Sequence, residues 1–362
     1  MSPLRQILIS AGELSGDRLA AEILHELPKC TAWGLGGPSL LAAGVTCLQT
    51  IDNLETIGFN EAISKYLAYK KLMLKIASMA AENGTKEAIL VDYSGFHLRL
   101  AGYLKANGIR CFLIVSPQIW AWRYGRIKKI RANIETVLCL YKFETEIYER
   151  EQISSFFMGH PILDRVVPAK KRSDSLLFLP GSRKQELSFN IPLYIEVAKL
   201  LKSKFPELSF ILSVTNISYL EEVFEDKIPE FITLSSESAP SLLAGSKAAI
   251  ACSGTVTMEC ALAQTPYAVV YKVSWLSYIL AKIIGKVKYL GMVSILLGRR
   301  VAIEFINHQL KAKLIAREAE KLLYDENYRK DLLVQYHTVR PQLGKPGAAI
   351  RAGAFLKKTI FN

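Results

Sequence analysis

Long apolar runs are missing from this chain. A helix needs roughly 20 consecutive apolar residues to cross a bilayer, and the longest comparable stretch, residues 289–298, is far shorter. Residues 1–13 also lack the apolar core and the small-residue cleavage site of a secretory signal. We therefore expect neither a membrane-spanning segment nor export, and we predict a cytoplasmic protein.

Metal-binding patterns are equally scarce. The six cysteines include no CxxC pair, and the five histidines are scattered without HExxH or any other zinc spacing. Most of the cysteines lie in or beside apolar segments, where a thiol behaves as a small hydrophobic group. We therefore predict reduced, buried cysteines, no metal and no cofactor.

Signatures of nucleic-acid binding are absent as well, although the formal net charge is +13. A charge of that size attracts anions. The basic residues concentrate among apolar and aromatic residues in two stretches, 57–79 and 271–300. This pairing predicts contact with an anionic membrane surface rather than with nucleic acid. The alternative is that both stretches form ordinary amphipathic helices whose apolar faces lie in the core.

What the chain does have is a regular alternation of short apolar runs and helical patterns. The runs at 6–10 and 88–91 are each followed by a helical pattern, at 14–27 and 96–107. This alternation predicts crossover units and a parallel sheet. At 362 residues the chain exceeds the size that one hydrophobic core usually supports, so two domains are expected.

The expected domain boundary lies in a charged, proline-bearing stretch, 166–174, which interrupts the alternation. A second series begins with the apolar run 176–179. The sequence PQLGKPG ends this series, and residues 348–360 predict one last helix that packs elsewhere. The predicted segments are a first domain, a second domain and a helical tail, at 1–168, 169–340 and 341–362.

The segment 247–272 combines an apolar strand, a small-residue turn and a helix with one carboxylate. The turn Ser253, Gly254, Thr255 lets a ligand approach the backbone, and the first amides of the helix attract negative charge. Glu259 lies one turn after Thr255 on the same helical face. Its carboxylate would repel a diphosphate but can accept hydrogen bonds from a neighbouring ribose. The pattern suggests a nucleotide site, and the alternative is a capped core helix.

Ligands of open parallel sheets bind beyond the carboxyl ends of the strands, so the residues after each apolar run are candidates for function. Asp92 ends a fully apolar run, where desolvation suits a carboxylate to act as a base, and it is the candidate general base. The alternative is a turn carboxylate without a chemical role.

A similar turn, residues 179–185 (LPGSRKQ), leads from the first strand of the second series into a helix. Ser182 and Gln185 have the spacing of a capping box. Arg183, at the start of the helix, can place its guanidinium on a departing diphosphate. The alternative is a surface arginine on a capped helix.

Two further turns carry polar groups at strand ends. In residues 11–17 (AGELSGD), an acidic side chain would repel the pyrophosphate of a dinucleotide, which weakens a dehydrogenase assignment. In residues 116–123 (SPQIWAWR), Trp120 and Arg123 suggest contact with a phosphate or a sugar, and the alternative is that the tryptophans belong to the core.

Taken together and in order, these turns resemble those of the lipid-A-disaccharide synthases, family 19 of the glycosyltransferases, which have the two-domain GT-B architecture. The similarity covers nearly the whole chain. It rests on AGELSGD (11–17), GLGGP (34–38), SPQIWAWR (116–123), MGHP (158–161), LPGSR (179–183), SGTVTMECALAQTPYAVVYK (253–272) and LLGRRVAIEFIN (296–307).

The resemblance implies an α/β fold of two Rossmann-like, doubly wound parallel-sheet domains that face a cleft, with a C-terminal helix packed outside its own domain. It implies an inverting, metal-independent transfer from UDP-2,3-diacylglucosamine to 2,3-diacylglucosamine 1-phosphate (lipid X), which gives UDP and the β-1,6 disaccharide 1-phosphate precursor of lipid A. The acylated substrates would explain the basic apolar stretches through peripheral association with the inner membrane. Family members often exchange C-terminal segments between subunits, which implies a homodimer.

The resemblance also implies roles for single residues. Asp92 would be the general base, Arg183 would stabilise departing UDP, and Glu259 would bind the ribose. The first domain would bind the acceptor and the second the UDP-sugar. The other substrate-binding residues implied by the motifs are Glu13, Ser15, Ser116, Trp120, Arg123, Ser182, Ser253, Gly254, Thr255, Ser294 and Arg299.

The chain departs from the family pattern at two places. Ser94 and Gly95 replace the proline and the second aspartate of DxPDF, and Ser294 stands where an asparagine usually helps to hold the nucleotide. Serine reaches less far than asparagine. These changes indicate altered specificity or weaker turnover. They leave open another GT-B UDP-sugar enzyme or a GT-B binding protein with little turnover.

Overall fold

The computed structural model describes residues 4–50, 62–120, 124–166, 168, 171–181, 183–214, 224, 227–272, 289 and 291–361, and residues 62–65 by their backbone alone. The chain divides into two compact units. One consists of Met1–Asp164 and Leu343–Asn362, and the other of Arg165–Gln342.

The first unit contains a seven-stranded parallel sheet. Its strands are β1 (Gln6–Ala11), β2 (Thr31–Gly36), β3 (Thr46–Thr50), β4 (Glu87–Val91), β5 (Arg110–Ile114), β6 (Thr136–Cys139) and β7 (Ser155–Phe157). Their order is β3-β2-β1-β4-β5-β6-β7. Its helices are α1 (Leu14–His25), α2 (Pro38–Ala42), α3 (Ala62–Glu82), α4 (Ser94–Ala106), α5 (Ile127–Asn133), α6 (Lys142–Arg150) and α13 (Ala348–Phe361).

The central strands of this sheet form because their apolar residues are covered on both faces. Every residue of β4 (EAILV) is buried, as expected for a parallel strand between two layers of helices. Leu90 belongs to the core on one face and Ile89 to the core on the other. The strand order reverses between β1 and β4, where Ala11 pairs with Val91. The turns after these two strands are therefore neighbours, at the position where such sheets bind ligands.

The second unit repeats this design with six parallel strands. They are β8 (Ser173–Leu179), β9 (Ser209–Ser213), β10 (Ile232–Ser235), β11 (Ser246–Cys252), β12 (Tyr267–Tyr271) and β13 (Glu304–Ile306). Their order is β10-β9-β8-β11-β12-β13, and it reverses between β8 and β11, where Leu179 pairs with Ala251. The helices are α7 (Lys184–Lys204), α8 (Ala239–Gly245), α9 (Val256–Leu262), α10 (Met292–Leu297), α11 (Ala312–Tyr324) and α12 (Glu326–His337).

The last helix, α13, returns to the first unit. Arg351 anchors it by donating from Nε to the Met158 carbonyl (2.8 Å). A stripe of apolar residues with helical spacing joins the core that also contains the buried face of α1. The stripe consists of Ala348, Ala352, Leu356 and Ile360. The prediction of two parallel-sheet α/β domains, with a final helix packed outside the second, is confirmed.

Helix α3 covers most of the first basic stretch and has two different faces. Met73 and Ile76 lie in the core, whereas Leu67 and Leu74 are exposed. One face of α3 is therefore an ordinary core face, and membrane contact by the other face stays a prediction. Residues 57–61 and most of the second basic stretch lie outside the described residues. In the described part of the chain, no helix combines the length and the apolar composition needed to cross a membrane.

Candidate active site

At the carboxyl edge of the first sheet, the turn after β1 packs directly on the turn after β4. The glycines of AGELSGD allow this contact. A side chain at Gly12 would overlap the Tyr93 ring, and a Cβ at Gly16 would lie 3.3 Å from the Cβ of Asp92. The motif therefore brings the backbone of α1 against Asp92. Two predicted binding residues of the same turn have exposed side chains, Glu13 and Ser15.

Asp92 has an unusual backbone conformation at this edge. Its φ is 57° and that of Tyr93 is 42°, so two consecutive non-glycine residues are left-handed. The Tyr93 amide donates a hydrogen bond to Asp92 Oδ1 (2.8 Å). Burial raises the pKa of the Asp92 carboxyl, and the Tyr93 amide opposes part of that rise. A carboxylate with a raised pKa at a sheet edge has the properties of a general base.

Asp17 has a structural function that the sequence did not predict. It is 1% exposed, and its carboxylate accepts hydrogen bonds from the amides of Gly37 (2.6 Å), Ser39 (2.8 Å) and Leu40 (3.3 Å). These amides begin α2, so Asp17 closes the start of that helix from another element. The partners belong to the GLGGP turn and its helix, at least 20 residues away. Local spacing therefore carried no signal for this role.

We expect Asp17→Ala to lower the free energy of unfolding by about 3 kcal/mol, because three amides lose a charged acceptor. Chemical denaturation of the purified variant measures the change. Asp325→Ala is the matched control, since Asp325 caps α12 through one bond from the Tyr328 amide (3.0 Å) at the surface. Loss of such a cap costs about 1 kcal/mol. Equal losses in the two variants would contradict the role assigned to Asp17.

Ser116 and Trp120 follow β5 and belong to a mostly buried group of side chains. The Ser116 hydroxyl donates to the Pro117 carbonyl (3.1 Å) and lies 2.9 Å from the Tyr148 hydroxyl. The Trp120 ring packs edge-on against Phe143, with ring centroids 5.4 Å apart. Both predicted binding residues are thus held in place by the protein itself.

Glu144, a buried carboxyl in the first turn of α6, adjoins this group and was not predicted. Burial raises its pKa to about 7, opposed by the Tyr141 amide and by the side chains of Trp120 and Ser116. The Tyr141 amide donates to Glu144 Oε2 (3.2 Å). Trp120 Nε1 makes no hydrogen bond of normal geometry with the described residues. The bond from the Tyr141 amide shows that Glu144 caps the start of α6.

In the second unit, Arg183 lies where the turn after β8 enters α7. Its side chain is 79% exposed, and its Nη1 is 2.8 Å from Oε1 of Glu186. The Glu186 carboxylate also accepts from the Arg183 amide (3.2 Å). The predicted capping box of Ser182 and Gln185 is therefore wrong. Helix α7 begins at Lys184, which makes Arg183 the N-cap and Glu186 the residue whose side chain caps the helix. Two predicted binding residues lie outside the described residues, Arg123 and Ser182.

The turn after β11 leaves room for a ligand. A Cβ added at Gly254 would meet nothing within 4 Å, and Thr255 is exposed while Ser253 is half-buried. Glu259 follows one turn into α9 and is also half-buried. Burial raises the pKa of Glu259, and the positive charge of Arg165 lowers it. The turn thus combines an open backbone with a nearby carboxylate.

Ser294 and Arg299 differ in exposure. Ser294 is 2% exposed, and its Oγ accepts a hydrogen bond from the Val301 amide (3.2 Å). It therefore fixes the loop between α10 and β13, and its hydroxyl hydrogen can be donated elsewhere. Arg299 lies in the same loop with an exposed side chain.

Lys272 is a cation at this edge that was not predicted as a site residue. It directly follows β12, and β12 pairs with β11 through Val270 and Cys252, so Lys272 lies beside the open turn. Its Nζ is 3.9 Å from the centroid of the Phe189 ring in α7, a cation–π contact. Its position immediately after an apolar strand is the sequence feature that could have identified Lys272 as a site residue.

Each unit therefore presents a set of polar groups at the carboxyl edge of its sheet. The first has a carboxyl with a raised pKa, and the second has an exposed guanidinium, an open turn and a half-buried carboxylate. Such groups suit proton transfer in the first unit and binding of a phosphorylated sugar in the second. Within the described ranges, no group of three His, Cys, Asp or Glu side chains could hold a metal ion.

Sequence comparisons identify relatives over nearly the whole chain. The family model described as lipid-A-disaccharide synthetase matches residues 7–357. A lipid-A-disaccharide synthase from Anaeromyxobacter dehalogenans (strain 2CP-C) is 35% identical over an alignment of 364 positions, which covers 96% of this chain and 95% of the relative. Another, from Coxiella burnetii (strain CbuG_Q212), is 31% identical over an alignment of 374 positions, which covers 99% of both chains.

Solved structures share the fold at low sequence identity. The calicheamicin glycosyltransferase CalG4 gives a TM-score of 0.61 at 14% identity, over 99% of both chains. A UDP-GlcNAc 2-epimerase from Neisseria meningitidis, solved with UDP-GlcNAc, gives 0.59 at 10%, over 98% of this chain and 99% of that one. These likenesses show the predicted GT-B fold alone. The motif residues that the structure describes lie at the carboxyl edges of both sheets, and the relatives match this chain almost end to end. The chain therefore belongs to the lipid-A-disaccharide synthase family.

Proposed function

We propose that this protein joins the sugar of UDP-2,3-diacylglucosamine to the 6-hydroxyl of 2,3-diacylglucosamine 1-phosphate (lipid X). The products are UDP and the β-1,6-linked disaccharide 1-phosphate, the precursor of lipid A. Membership of the lipid-A-disaccharide synthase family over residues 7–357 carries this proposal. The raised pKa of Asp92 at the sheet edge supports the chemistry that the transfer requires.

The proposed transfer inverts the anomeric carbon in a single displacement. Asp92 takes the proton of the acceptor 6-hydroxyl while that oxygen attacks the anomeric carbon of the donor. The bond from this carbon to the phosphate oxygen breaks, and UDP leaves with the electron pair. A base with a raised pKa accepts a proton more readily near neutral pH. The scheme needs neither metal nor cofactor.

The donor is assigned to the second domain, residues 169–340, and the acceptor to the first, residues 1–168. Arg183 stabilises the departing diphosphate, and it exchanges its ion pair with Glu186 for one with the phosphate. Glu259 accepts hydrogen bonds from the ribose. The other donor-binding residues in this scheme are Ser182, Ser253, Gly254, Thr255, Ser294 and Arg299.

The acceptor side of the scheme uses the turns around Asp92. The exposed side chains of Glu13 and Ser15 suit hydrogen bonds to sugar hydroxyls. Ser116 and Trp120 hold the neighbouring turn after β5, which leads to Arg123. If the first domain binds the acceptor and the second binds the donor, most of the motif turns should lie at the carboxyl edge of one sheet or the other, as they do.

Release of UDP tests the proposal against an enzyme that only rearranges UDP-sugars. The purified protein is mixed with UDP-2,3-diacylglucosamine, with and without lipid X, and free UDP is measured over time. We expect UDP to form only when both substrates are present. Equal UDP release with and without lipid X, or consumption of the donor without UDP, would contradict the transfer.

We further infer that the protein works at the cytoplasmic face of the inner membrane and attaches to it through α3. Leu67, Lys70, Lys71 and Leu74 are exposed, and their i, i+3, i+4, i+7 spacing places them on one side of the helix. Leucines there can enter the headgroup region while the lysines meet anionic head groups. The exposed apolar residues are the observation that supports this attachment.

Reversing both charges in Lys70→Glu/Lys71→Glu should weaken binding to anionic vesicles by at least about 30-fold. Loss of each basic residue near the surface costs about 1 kcal/mol, and the two new carboxylates add repulsion. Vesicle sedimentation measures the bound fraction. The double variant Lys357→Glu/Lys358→Glu makes the same charge change on exposed positions of α13 and should bind like the unchanged protein. Equal binding by all three proteins would leave α3 as an ordinary amphipathic helix.

A further inference from the structure

His97 is a fully buried residue that the proposed transfer does not use. It lies near the start of α4, five residues after Asp92. Its Nδ1 is 2.7 Å from the Asp92 carbonyl oxygen, and its Nε2 is 2.8 Å from the Ser10 hydroxyl oxygen. Ser10 belongs to β1 and Asp92 follows β4. One imidazole therefore joins the two strands where the sheet order reverses.

The two partners determine where the imidazole carries its proton. A carbonyl oxygen can only accept, so Nδ1 of His97 donates to Asp92 and Nε2 accepts from the Ser10 hydroxyl. Burial lowers the pKa of His97 to about 4, and the Asp92 carbonyl opposes part of that fall. The ring is thus neutral near pH 7. A neutral ring with two directed hydrogen bonds is a fixed link rather than a pH-dependent switch.

The backbone of Asp92 is held at both of its polar groups. Its amide donates to the Ile114 carbonyl of β5 (2.9 Å), and its carbonyl accepts from His97. Asp92 and Tyr93 both have positive φ, a conformation that persists only where the surroundings determine it. The Tyr93 amide binds Oδ1, which leaves Oδ2 of Asp92 as the oxygen that takes up the proton.

Aromatic rings hold the imidazole in this orientation. The Tyr93 ring meets it edge-on at 85°, with centroids 6.2 Å apart. The Phe96 ring meets it at 70°, with centroids 5.6 Å apart. Rotation of His97 away from the Asp92 carbonyl would therefore require both neighbouring rings to repack.

We infer that His97 is a positioning residue for the transfer: through the Asp92 carbonyl it holds the carboxylate in the direction from which it removes the acceptor proton. This inference rests on the proposed function of Asp92. It adds a residue that touches no substrate. The buried imidazole and the left-handed backbone of Asp92 and Tyr93 then both serve to orient the Asp92 carboxylate.

Two substitutions separate the hydrogen bonds of the ring. In His97→Asn, the shorter side chain can still donate to the Asp92 carbonyl but does not reach Ser10. In His97→Gln, the amide extends toward Ser10 and leaves the carbonyl without its donor. We expect kcat of His97→Gln to fall by about 30-fold, because displacement of a reacting group by about 1 Å has effects of this order. KM for both substrates should change little, and His97→Asn should retain most of the rate.

Two controls distinguish positioning from a loss of stability. Thr85→Val removes another buried hydrogen bond of the first unit, from Trp33 Nε1 (3.1 Å), and should leave kcat unchanged. In the Asp92→Asn background, His97→Gln should cause no further fall in kcat, because no base remains to be positioned. Thermal unfolding of each variant reports how much of the protein is folded in the assay.

Three results would overturn the inference: an unchanged kcat in His97→Gln, equal falls in the Asn and Gln variants, or a fall that Thr85→Val matches at equal stability. If Asp92→Asn itself retained full turnover, the proposed function of Asp92 would fail instead. The two failures are therefore distinguishable. If His97→Gln does not fold, His97→Leu takes its place, because it also removes the donor to the Asp92 carbonyl. Its loss of kcat should then vanish in the Asp92→Asn background, and additive losses in the double variant overturn the inference.

Discussion

Asp92→Asn is expected to lower kcat by about 1000-fold, within the range that general bases contribute. Asparagine has nearly the same shape and can still accept the Tyr93 amide at the position of Oδ1, but it cannot take a proton. UDP affinity should stay unchanged, because Asp92 belongs to the first unit and the residues proposed to bind UDP belong to the second. Steady-state UDP release measures kcat, and calorimetry measures UDP affinity.

Asp164→Asn is the matched control for this change. Asp164 belongs to the same unit and accepts a hydrogen bond from the Gly347 amide (2.7 Å), so the variant alters a carboxylate of similar local bonding. Its kcat should equal that of the unchanged protein. Full turnover in a folded Asp92→Asn would show that the base is another group.

The same assignment determines the direction of the pH dependence. A general base must be ionised, so kcat/KM is lost as pH falls through the pKa of Asp92. Burial raises this pKa above its ordinary value of 3.8. The acidic limb of the profile should therefore lie at higher pH than an exposed aspartate would give.

Arg183→Ala is expected to lower kcat by about 100-fold, because departing UDP loses a charged hydrogen-bond donor where negative charge develops. The assay is UDP release at saturating donor and acceptor. Arg183→Lys should recover only part of the rate, since an ammonium lacks the two-pronged geometry that a guanidinium offers to phosphate. The ion pair with Glu186 does not prevent this role, because the Arg183 side chain is mostly exposed.

Arg317→Ala is the control for the charge itself. Arg317 is exposed on α11 of the same unit, and its loss should leave kcat unchanged. A rate for Arg183→Ala equal to that of Arg317→Ala would reduce Arg183 to a surface residue on a capped helix, which is the alternative that the sequence left open.

Sequence reasoning located the sheet-edge residues because hydrophobic patterns reveal where buried strands end. Asp92 follows a strand that is buried at every position, and the turn 253–255 follows another with nearly continuous burial. In a doubly wound sheet, the turns on either side of the order reversal must be neighbours. The close approach of Gly16, after β1, to Asp92, after β4, is the contact that this rule predicts.

The residues that sequence reasoning missed depend on polar contacts between distant segments. His97 and Ser10 are 87 residues apart, and Asp17 lies 20 residues from its first partner amide. Periodicity indicates that a residue is buried but not which polar group it meets. Helix starts are also less certain than helix existence, as the cap at Glu186 rather than Gln185 illustrates.

The two departures from the family pattern fit the fold without disturbing Asp92. Gly95 is exposed, and a Cβ there would meet nothing within 4 Å. Ser94 accepts a hydrogen bond from Arg126 (2.9 Å), which ties the start of α4 to the turn before α5. Ser294 Oγ accepts a hydrogen bond from the Val301 amide. Altered specificity remains a prediction for these positions, as does the homodimer.

Mass spectrometry of the product formed from UDP-2,3-diacylglucosamine and lipid X tests the transferase function most directly. We predict one new tetraacylated species whose mass equals that of the two substrates together less UDP, formed in equal amount with UDP. The species should be absent when either substrate is omitted and strongly reduced with Asp92→Asn. An isomer of the donor with unchanged mass, or binding of the donor without any new species, would contradict the proposed function.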